Sequence, residues 1–234
     1  MKPFLTHAPL DLSPLFHTGR HVTYSAGQLI CDTHSCADYV HLVTSGVYRV
    51  SIGTSQGAER LLYYGYSGSV IGDALCFGEP TTLSLGLRAL TVSSVTTVRI
   101  SQTQFRSACA VYPELSVGLL GMAYRKIASL IEQIEFAAFR NTTSQVAALL
   151  HAFWAEEARV GAPLSGKNLL AITHQEIASA TGRTRVSVTH AVGKLQDAGV
   201  VALHRGRIEI LDPAALHAIG ECGDTLAFGS SRKS

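Results

Sequence analysis

The sequence lacks the features that would mark an enzyme, a membrane protein or a secreted disulfide scaffold. Only 15% of its 234 residues are charged, its formal net charge is +2, and no apolar run reaches membrane-spanning length. It contains no nucleophile elbow, P-loop or dinucleotide-binding fingerprint. The first residues lack the apolar segment of a secretory signal. We therefore expect a cytoplasmic protein with no membrane partner, in which any affinity for nucleic acid comes from a local patch.

Cysteine and histidine are also placed without a recognisable metal pattern. The five cysteines are scattered, and no two form a C-x-x-C pair: Cys31, Cys36, Cys76, Cys109 and Cys222. We expect ordinary reduced thiols in a cytoplasmic protein. The glycine-rich β-region has no His-x-His pair, which metal-dependent enzymes built on a double-stranded β-helix require. A cupin-like metal enzyme is therefore the weaker alternative, and a metal assay on pure protein would distinguish it.

The most specific pattern runs from Ile172 to Leu195. Apolar residues recur at helical spacing on both sides of Gly182, a residue type that accepts the left-handed backbone of a tight turn. The pattern predicts two helices with these inward residues: Ile177, Ala178, Val188, Ala191, Val192 and Leu195. The outward residues that begin the second helix suit phosphates and base edges in a major groove, and they are Thr184, Arg185, Ser187, Thr189 and His190. A solvated amphipathic hairpin is the alternative interpretation.

Residues 200–211 read as two short strands around Arg205-Gly206, which predicts a hairpin wing. A helix-turn-helix followed by a wing is a winged-helix module. Thr181 and Arg183 depart from the ideal pattern, because apolar residues are usual near the turn. The C-terminal third also carries a basic patch that would make DNA binding salt-dependent: Arg183, Arg185, Lys194, Arg205 and Arg207, with His174, His190 and His204.

Two other regions precede this module. Residues 20–105 are short β-forming runs punctuated by glycines, which predicts a sandwich or barrel. From about Val117 a heptad-like stripe follows, formed by Leu120, Ile127 and Ile134 with Ala123, Leu130/Ile131 and Ala137 between them. The polar face of this helix is expected to carry Arg125, Lys126, Glu132, Gln133 and Glu135. We predict a dimer seam, with packing on its own domain as the alternative. A two-fold dimer demands a near-palindromic DNA site.

This order of regions resembles the Crp/Fnr family of bacterial transcription regulators over nearly the whole chain. Residues 172–195 look like the family's helix-turn-helix, residues 68–73 are similar to its phosphate-cassette turn, and residues 42–52 resemble its central strand–turn–strand. The resemblance implies an α+β protein with an N-terminal double-stranded β-helix (jelly-roll) effector domain, a long dimerisation helix and a C-terminal winged helix-turn-helix. It implies DNA, a small-molecule effector, a second copy of the chain and RNA polymerase as partners.

The resemblance also implies domain boundaries. The effector-binding β-roll spans residues 1–114, the dimerisation helix 115–140, the winged-helix domain 141–228 and a disordered tail 229–234. A break in the helical period at residues 141–144 is expected to offer N-cap residues and to mark the hinge.

Operator contacts follow from the same resemblance. Arg185 stands where family members use an arginine against guanine, whose O6 and N7 suit its forked donors. Val186 replaces a common glutamate and can touch only a thymine methyl, and His190 replaces a common arginine, so the operator should differ from the usual half-sites. Four residues look like phosphate-positioning contacts: Ser187, Thr184, His174 and Gln175. Thr189 completes the predicted DNA-binding set within residues 174–195.

Several effectors stay open. A cyclic nucleotide needs an acidic residue for the ribose, for which Asp73 is the candidate, and an arginine that residues 80–84 lack. An iron–sulfur cluster needs closely spaced N-terminal cysteines, which are absent. Haem needs axial ligands, for which the candidates are His34, His41, Cys36 and Cys76. We expect no bound cofactor, with a haem- or redox-dependent sensor as the alternative.

The run from Glu59 to Gly72 resembles the halogenated-phenol-responsive regulators of halorespiring bacteria, which carry a similar Leu-Leu-Tyr-Tyr sequence. That resemblance implies an aromatic phenolate bound between the β-domain and the long helix, with Tyr64 and Lys126 near its oxygen and Gly72, Asp73 and Tyr124 close by. A lysine in an apolar pocket favours a phenolate over a phenol. The alternative is that Tyr63 and Tyr64 are core aromatics and Lys126 is a solvated helix residue.

Overall fold

A computed structural model describes residues 11–32, 38–53, 59–77, 86–160 and 168–221. The chain divides into two compact units between Ile131 and Glu132, here called the N-terminal and C-terminal units. Within the described ranges, no helix is both long and apolar enough to cross a bilayer.

Eight antiparallel strands form two four-stranded sheets in the described part of the N-terminal unit, with strand orders β1-β8-β3-β6 and β2-β7-β4-β5. The strands are β1 (Arg20–Tyr24), β2 (Leu29–Asp32), β3 (Tyr39–Ser45), β4 (Tyr48–Gly53), β5 (Glu59–Gly65), β6 (Val70–Ile71), β7 (Gly86–Thr91) and β8 (Val95–Ser101). The glycines at positions 27, 46 and 68, which separate strands in the sequence, all have positive φ. The two sheets confirm the predicted jelly roll and the α+β class.

Seven α-helices, a short 3-10 helix (Ser13–Phe16) and three further strands complete the described structure. The helices are α1 (Asp73–Phe77), α2 (Gln102–Val111), α3 (Pro113–Phe139), α4 (Thr142–Val160), α5 (His174–Thr181), α6 (Arg185–Asp197) and α7 (Pro213–Glu221). Strands β9 (Leu169–Leu170), β10 (Val201–His204) and β11 (Arg207–Ile210) form a sheet in the order β10-β11-β9. The sequence patterns gave no indication of α1, α2, α7 or β9.

The N-terminal unit has two groups of buried apolar side chains. One lies among strands of both sheets and includes Val43, Tyr48, Val50 and Val95. The other joins the β-roll to α2 and to the first turns of α3, and it includes Val40, Phe105, Leu119 and Met122. This second group fixes which face of α3 turns inward.

Long helix α3 therefore corrects two sequence expectations. Gln133, assigned to the polar face, is buried, and Lys126 is half-buried and ion-paired. The exposed apolar stripe uses a different set of intervening positions from those expected: Val117, Leu120, Tyr124, Ile127, Ile131 and Ile134 are all more than half exposed, at spacings of three and four residues. Tyr124 thus replaces Ala123, and Ile131 is the exposed member of the expected pair Leu130/Ile131, because Met122 packs inward.

Candidate nucleic-acid interface and effector site

Reciprocal caps set the start of α5. The Thr173 side chain accepts a hydrogen bond from the Glu176 backbone N–H at 3.2 Å, and the Glu176 carboxylate accepts one from the Thr173 N–H at 2.8 Å. Helix α5 ends at Gly182, whose φ of 66° is the left-handed conformation that the sequence predicted. Thr184 then caps α6 by accepting from the Ser187 N–H at 3.1 Å.

The inner face of the two helices is as predicted. All six of the expected inward residues are buried, and Ile177, Val188, Val192 and Leu195 are 0% exposed. This packing holds the opposite side of α6 in solvent. There Thr184, Arg185, Thr189 and His190 are exposed, and Val186 is 67% exposed despite its apolar side chain.

A polar link fixes α5 against α6. The Thr189 hydroxyl donates to the Arg185 carbonyl at 2.9 Å, and His174 Nδ1 lies 3.0 Å from the same hydroxyl oxygen. Because the hydroxyl has a single proton, which it donates to the Arg185 carbonyl, His174 Nδ1 is the donor in the second contact. Two predicted DNA contacts therefore also organise the interface from within.

Strands β10 and β11 form the wing, paired from Val201↔Ile210 to His204↔Arg207 around Arg205-Gly206, as expected. A groove of about 320 Å³ separates the wing from the two helices. Its lining combines basic and polar side chains with the apolar Ile172, Leu203 and Ile208; the basic and polar ones include His174, Gln175, Arg185, His204 and Arg207. On the wing, Glu209 lies 2.8 Å from His204 Nε2 and offsets part of this positive charge.

The two unusual turn residues have specific roles. Thr181 is buried, and its hydroxyl donates to the Ile177 carbonyl at 2.8 Å, so an apolar residue is not required there. Arg183 donates through Nε to the side-chain oxygen of Gln145 at 2.9 Å. Sequence reasoning missed Gln145, because nothing in the pattern connects two residues so far apart.

In the N-terminal unit, Lys126 and Asp73 form a largely buried ion pair. Lys126 Nζ lies 2.7 and 2.8 Å from the two carboxylate oxygens of Asp73, and it donates to the Val70 carbonyl at 3.2 Å. The side chains are only 15% and 12% exposed. Lys126 is therefore not a solvated helix residue, and its charge is already neutralised by the carboxylate.

Two tyrosines share the electrostatic environment of this pair. Burial raises the pKa of Tyr48, and burial together with the Asp73 charge raises the pKa of Tyr63. Within the described residues, the Tyr48 hydroxyl is buried without a hydrogen-bond partner. The sequence had pointed to Tyr64, but successive strand residues face opposite sides, and Tyr64 pairs with Arg49 in the β4–β5 ladder.

The other predicted effector residues are distributed differently. Gly72 has φ of 88°, and an added Cβ would lie 2.7 Å from the Tyr39 carbonyl oxygen, so a backbone requirement explains this glycine. Tyr124 is 71% exposed on the apolar stripe. It lies two residues from Lys126, and helix residues at that spacing do not share a face.

Two of the four candidate haem ligands, His41 and Cys76, lie within the described residues. His41 is buried with Nδ1 3.2 Å from the Thr97 hydroxyl, and burial, reinforced by Arg99, lowers its pKa to about 4. Burial raises the pKa of the Cys76 thiol to about 12. The other two haem-ligand candidates, at positions 34 and 36, lie outside the described residues, as do residues 80–84. Cys31 is disulfide-bonded, contrary to the expectation of reduced thiols. Across the described ranges, no group of three or more His, Cys, Asp or Glu side chains is arranged to hold a metal ion.

Comparisons with known proteins agree with this architecture. Residues 144–219 match the family model of the Crp-like helix-turn-helix domain. The chain is 23% identical over 209 residues to the nitrogen fixation regulation protein FixK of Bradyrhizobium diazoefficiens, covering 89% of this chain and 85% of that protein. A crystal structure of a Crp/Fnr-family regulator from Eubacterium rectale superposes with a TM-score of 0.74 at 20% identity, covering 91% of this chain and 96% of that one.

The halophenol-responsive regulators are one group among many of similar fold. CprK in complex with OCPA gives a TM-score of 0.64 at 16% identity, covering 93% of this chain and 97% of that one. At such identities the likeness shows the fold and does not favour one effector over another. Residues 144–219 thus match the Crp-like helix-turn-helix domain, and the fold of the chain is similar to that of Crp/Fnr-family transcriptional regulators.

Proposed function

We propose that two copies of this chain bind a near-palindromic operator under the control of a small-molecule effector. The DNA-binding part of this proposal rests on the first turn of α6, which is exposed and largely polar. This turn lies beside the groove between the wing and the two helices, which basic side chains line in part. Such a surface matches the geometry in which the N-terminal residues of a recognition helix reach base edges. A DNA-binding regulator works where the chromosome is, so we place the protein in the cytoplasm, with RNA polymerase as a further partner.

Each operator contact has a distinct chemical part. Arg185 reads guanine, Val186 touches a thymine methyl, and His190 and Thr189 face the neighbouring base pairs. Thr184, Ser187, Gln175 and His174 position the phosphates. The contact between His174 Nδ1 and the Thr189 hydroxyl holds the His174 ring in place for this role.

The exposed stripe on α3 supports the homodimer. Its six apolar positions follow the alternating three- and four-residue spacing of a coiled-coil seam, and each side chain is 54–71% exposed in the single chain. Covering them with the same stripe of a second copy buries apolar surface on both sides and places two recognition helices about a two-fold axis.

For the effector we propose the cluster formed by Lys126, Asp73, Tyr48 and Tyr63. It combines a buried ion pair with a buried hydroxyl that has no partner among the described residues. A small aromatic molecule, such as a phenol, would find donors and apolar walls there. Tyr64, Gly72 and Tyr124, which the sequence resemblance placed near the effector, remain part of this proposal.

The operator proposal is tested by fluorescence anisotropy with DNA from upstream of the gene, at two salt concentrations. Arg185→Ala should weaken binding by about 1–3 kcal/mol and relax specificity at one base pair of each half-site. Arg20→Ala, which removes an exposed arginine from β1, is the matched control and should bind as the wild type does. Equal behaviour of the two variants would contradict the assignment of Arg185.

The effector proposal is tested by thermal shift with halophenols, cyclic nucleotides and haem on wild type and Lys126→Met. A ligand that binds only the folded protein raises its melting temperature. We expect a phenol to raise it for the wild type but not for the variant. If no phenol changes it, the phenolic assignment is wrong, whereas the DNA-binding proposal is unaffected.

A further inference from the structure

The last turn of α3 is capped by a side chain from the next helix. Gln145 is 0% exposed, and its amide nitrogen donates to the Arg140 carbonyl at 2.9 Å and to the Phe136 carbonyl at 3.1 Å, with the Ala137 carbonyl at 3.5 Å. These carbonyls belong to the helix end, where backbone acceptors have no partner within the helix. Gln145 therefore connects α4 to the end of α3 by buried hydrogen bonds.

The same amide is held from the other side by the helix-turn-helix. Arg183 donates through Nε to the Gln145 side-chain oxygen at 2.9 Å and through a terminal nitrogen to the Ala137 carbonyl at 3.3 Å. Arg183 lies two residues before Arg185, which begins α6. A series of hydrogen bonds thus joins the last turn of α3 to Arg183, in the turn that leads into the recognition helix.

A second arginine secures this helix end to the opposite flank of the C-terminal unit. Arg140 donates to the Gly220 carbonyl, and its guanidinium lies 3.6 Å from the Glu221 carboxylate at the end of α7. Its cationic carbon sits 5.1 Å from the centre of the Phe136 ring. The last turn of α3 is therefore fixed within the C-terminal unit, and Arg183 supplies the contact nearest to the DNA-binding residues.

We infer that Gln145 and Arg183 are positioning residues that set the angle of the recognition helix on the end of α3, and thereby the half-site spacing that the dimer accepts. This inference rests on the proposed two-fold operator binding. In such a dimer the two helices enter grooves one helical turn, about 34 Å, apart. Each added base pair moves one half-site by about 3.4 Å and rotates it by about 35°, so a rigid attachment accepts few spacings.

The experiment compares operators whose half-sites are separated by the preferred spacing or by one or two base pairs more or fewer. Affinities of the full-length chain are measured by anisotropy for wild type, Arg183→Met, Gln145→Met and Arg185→Ala. We expect Arg183→Met to weaken binding at the preferred spacing by about tenfold, the effect of one lost charge-assisted hydrogen bond. At the other spacings the loss of affinity should be smaller, so that the affinities at the different spacings become more similar.

The remaining variants separate positioning from direct contact. Arg185→Ala should weaken binding by the same factor at every spacing, because it removes a contact and leaves the angle unchanged. Gln145 is buried and cannot touch DNA. Gln145→Met should nevertheless make the affinities at the different spacings more similar, as Arg183→Met does. If the differences in affinity between spacings shrink only in Arg183→Met, the inference is wrong. It is also wrong if both variants lose affinity by the same factor at all spacings.

Two further results keep the test decisive. Melting followed by the fluorescence of Trp154 shows whether each variant is folded, and Arg183→Lys, at an exposed position, replaces any variant that is not. The lysine keeps the charge but lacks the forked guanidinium that reaches both the Gln145 side-chain oxygen and the Ala137 carbonyl. The affinities at the different spacings should therefore still become more similar. A wild type that binds no operator at any spacing would instead refute the proposed function.

Discussion

Removing either partner of the Lys126–Asp73 pair should strongly destabilise the N-terminal unit, and removing both should cost less than the two losses added together. The two charges are 2.7 Å apart, and their side chains are 15% and 12% exposed, so each is largely removed from water. Lys126→Met leaves the carboxylate desolvated and unpaired, which costs about 3–5 kcal/mol. Asp73→Asn leaves the ammonium in the same position. Combining the two changes removes both charges, so the double variant should be less destabilised than the sum of the single ones.

The measurement is a double-mutant cycle from urea unfolding. Because the chain has two units and its single tryptophan, Trp154, lies in the C-terminal one, hydrogen exchange of the β-sheet amides reports on the N-terminal unit separately. We expect a coupling energy of about 2–3 kcal/mol between the two changes.

The control pair is Arg49 and Glu59, which are 3.7 Å apart with side chains 30% and 36% exposed in the same unit. Arg49→Met should cost less than about 1 kcal/mol, because water screens an exposed pair. If Lys126→Met costs no more than this control, or if its effect adds to that of Asp73→Asn without coupling, the pair is not a buried interaction and the reasoning fails.

Four other predictions concern single residues. The pKa of His41 is lowered to about 4 in the folded chain, whereas an unfolded histidine takes up its proton near 6.5. The free energy of unfolding should therefore be at its full value above pH 6.5 and fall by about 3 kcal/mol as the pH drops to 4. In urea titrations at several pH values, His41→Gln should flatten this dependence. Gly182→Ala, at φ of 66°, should lower the stability of the C-terminal unit by about 1–2 kcal/mol in urea melts followed by Trp154 fluorescence. Gly193→Ala, inside α6 with nothing within 4 Å of the added carbon, should raise it by about 0.5–1 kcal/mol; the opposite order would contradict the turn assignment. Ile127→Glu should shift the dimer to monomers in sedimentation velocity, and an unchanged sedimentation coefficient would contradict the proposed seam.

Local rules made much of the C-terminal unit predictable. The caps, the turn glycine and the inward residues of α5 and α6 are properties of short segments, so the pattern alone located them. Helix α7 was missed although Asp212 before Pro213 is a start signal, and the Asp212 carboxylate does cap it by accepting from the Ala215 N–H at 2.9 Å. That miss was avoidable from the sequence.

The orientation of α3 was not predictable in the same way. Apolar residues occur at Met122, Ala123 and Tyr124 in succession, so the period is compatible with several seams. Only contact with the β-roll decides that Met122 is inside and Tyr124 outside. The choice between Tyr63 and Tyr64 is similar, because the pairing of β4 with β5 shifts register beside Tyr63, between Val50 and Ser51, and such an irregularity interrupts the alternation of faces along a strand.

The neutralised state of Lys126 constrains any effector that uses it. A phenolate could pair with this ammonium only by replacing the Asp73 carboxylate, and the released carboxylate would then need water or a proton. The raised pKa of Tyr48 keeps its hydroxyl a donor near neutral pH, so a neutral molecule with a hydrogen-bond acceptor meets less resistance there than an anion does. An anionic effector, by contrast, would break the ion pair that joins α3 to the first residue of α1. In that case the ligand and the helix attachment compete for the same lysine, so binding and the release of α3 would be one event rather than two.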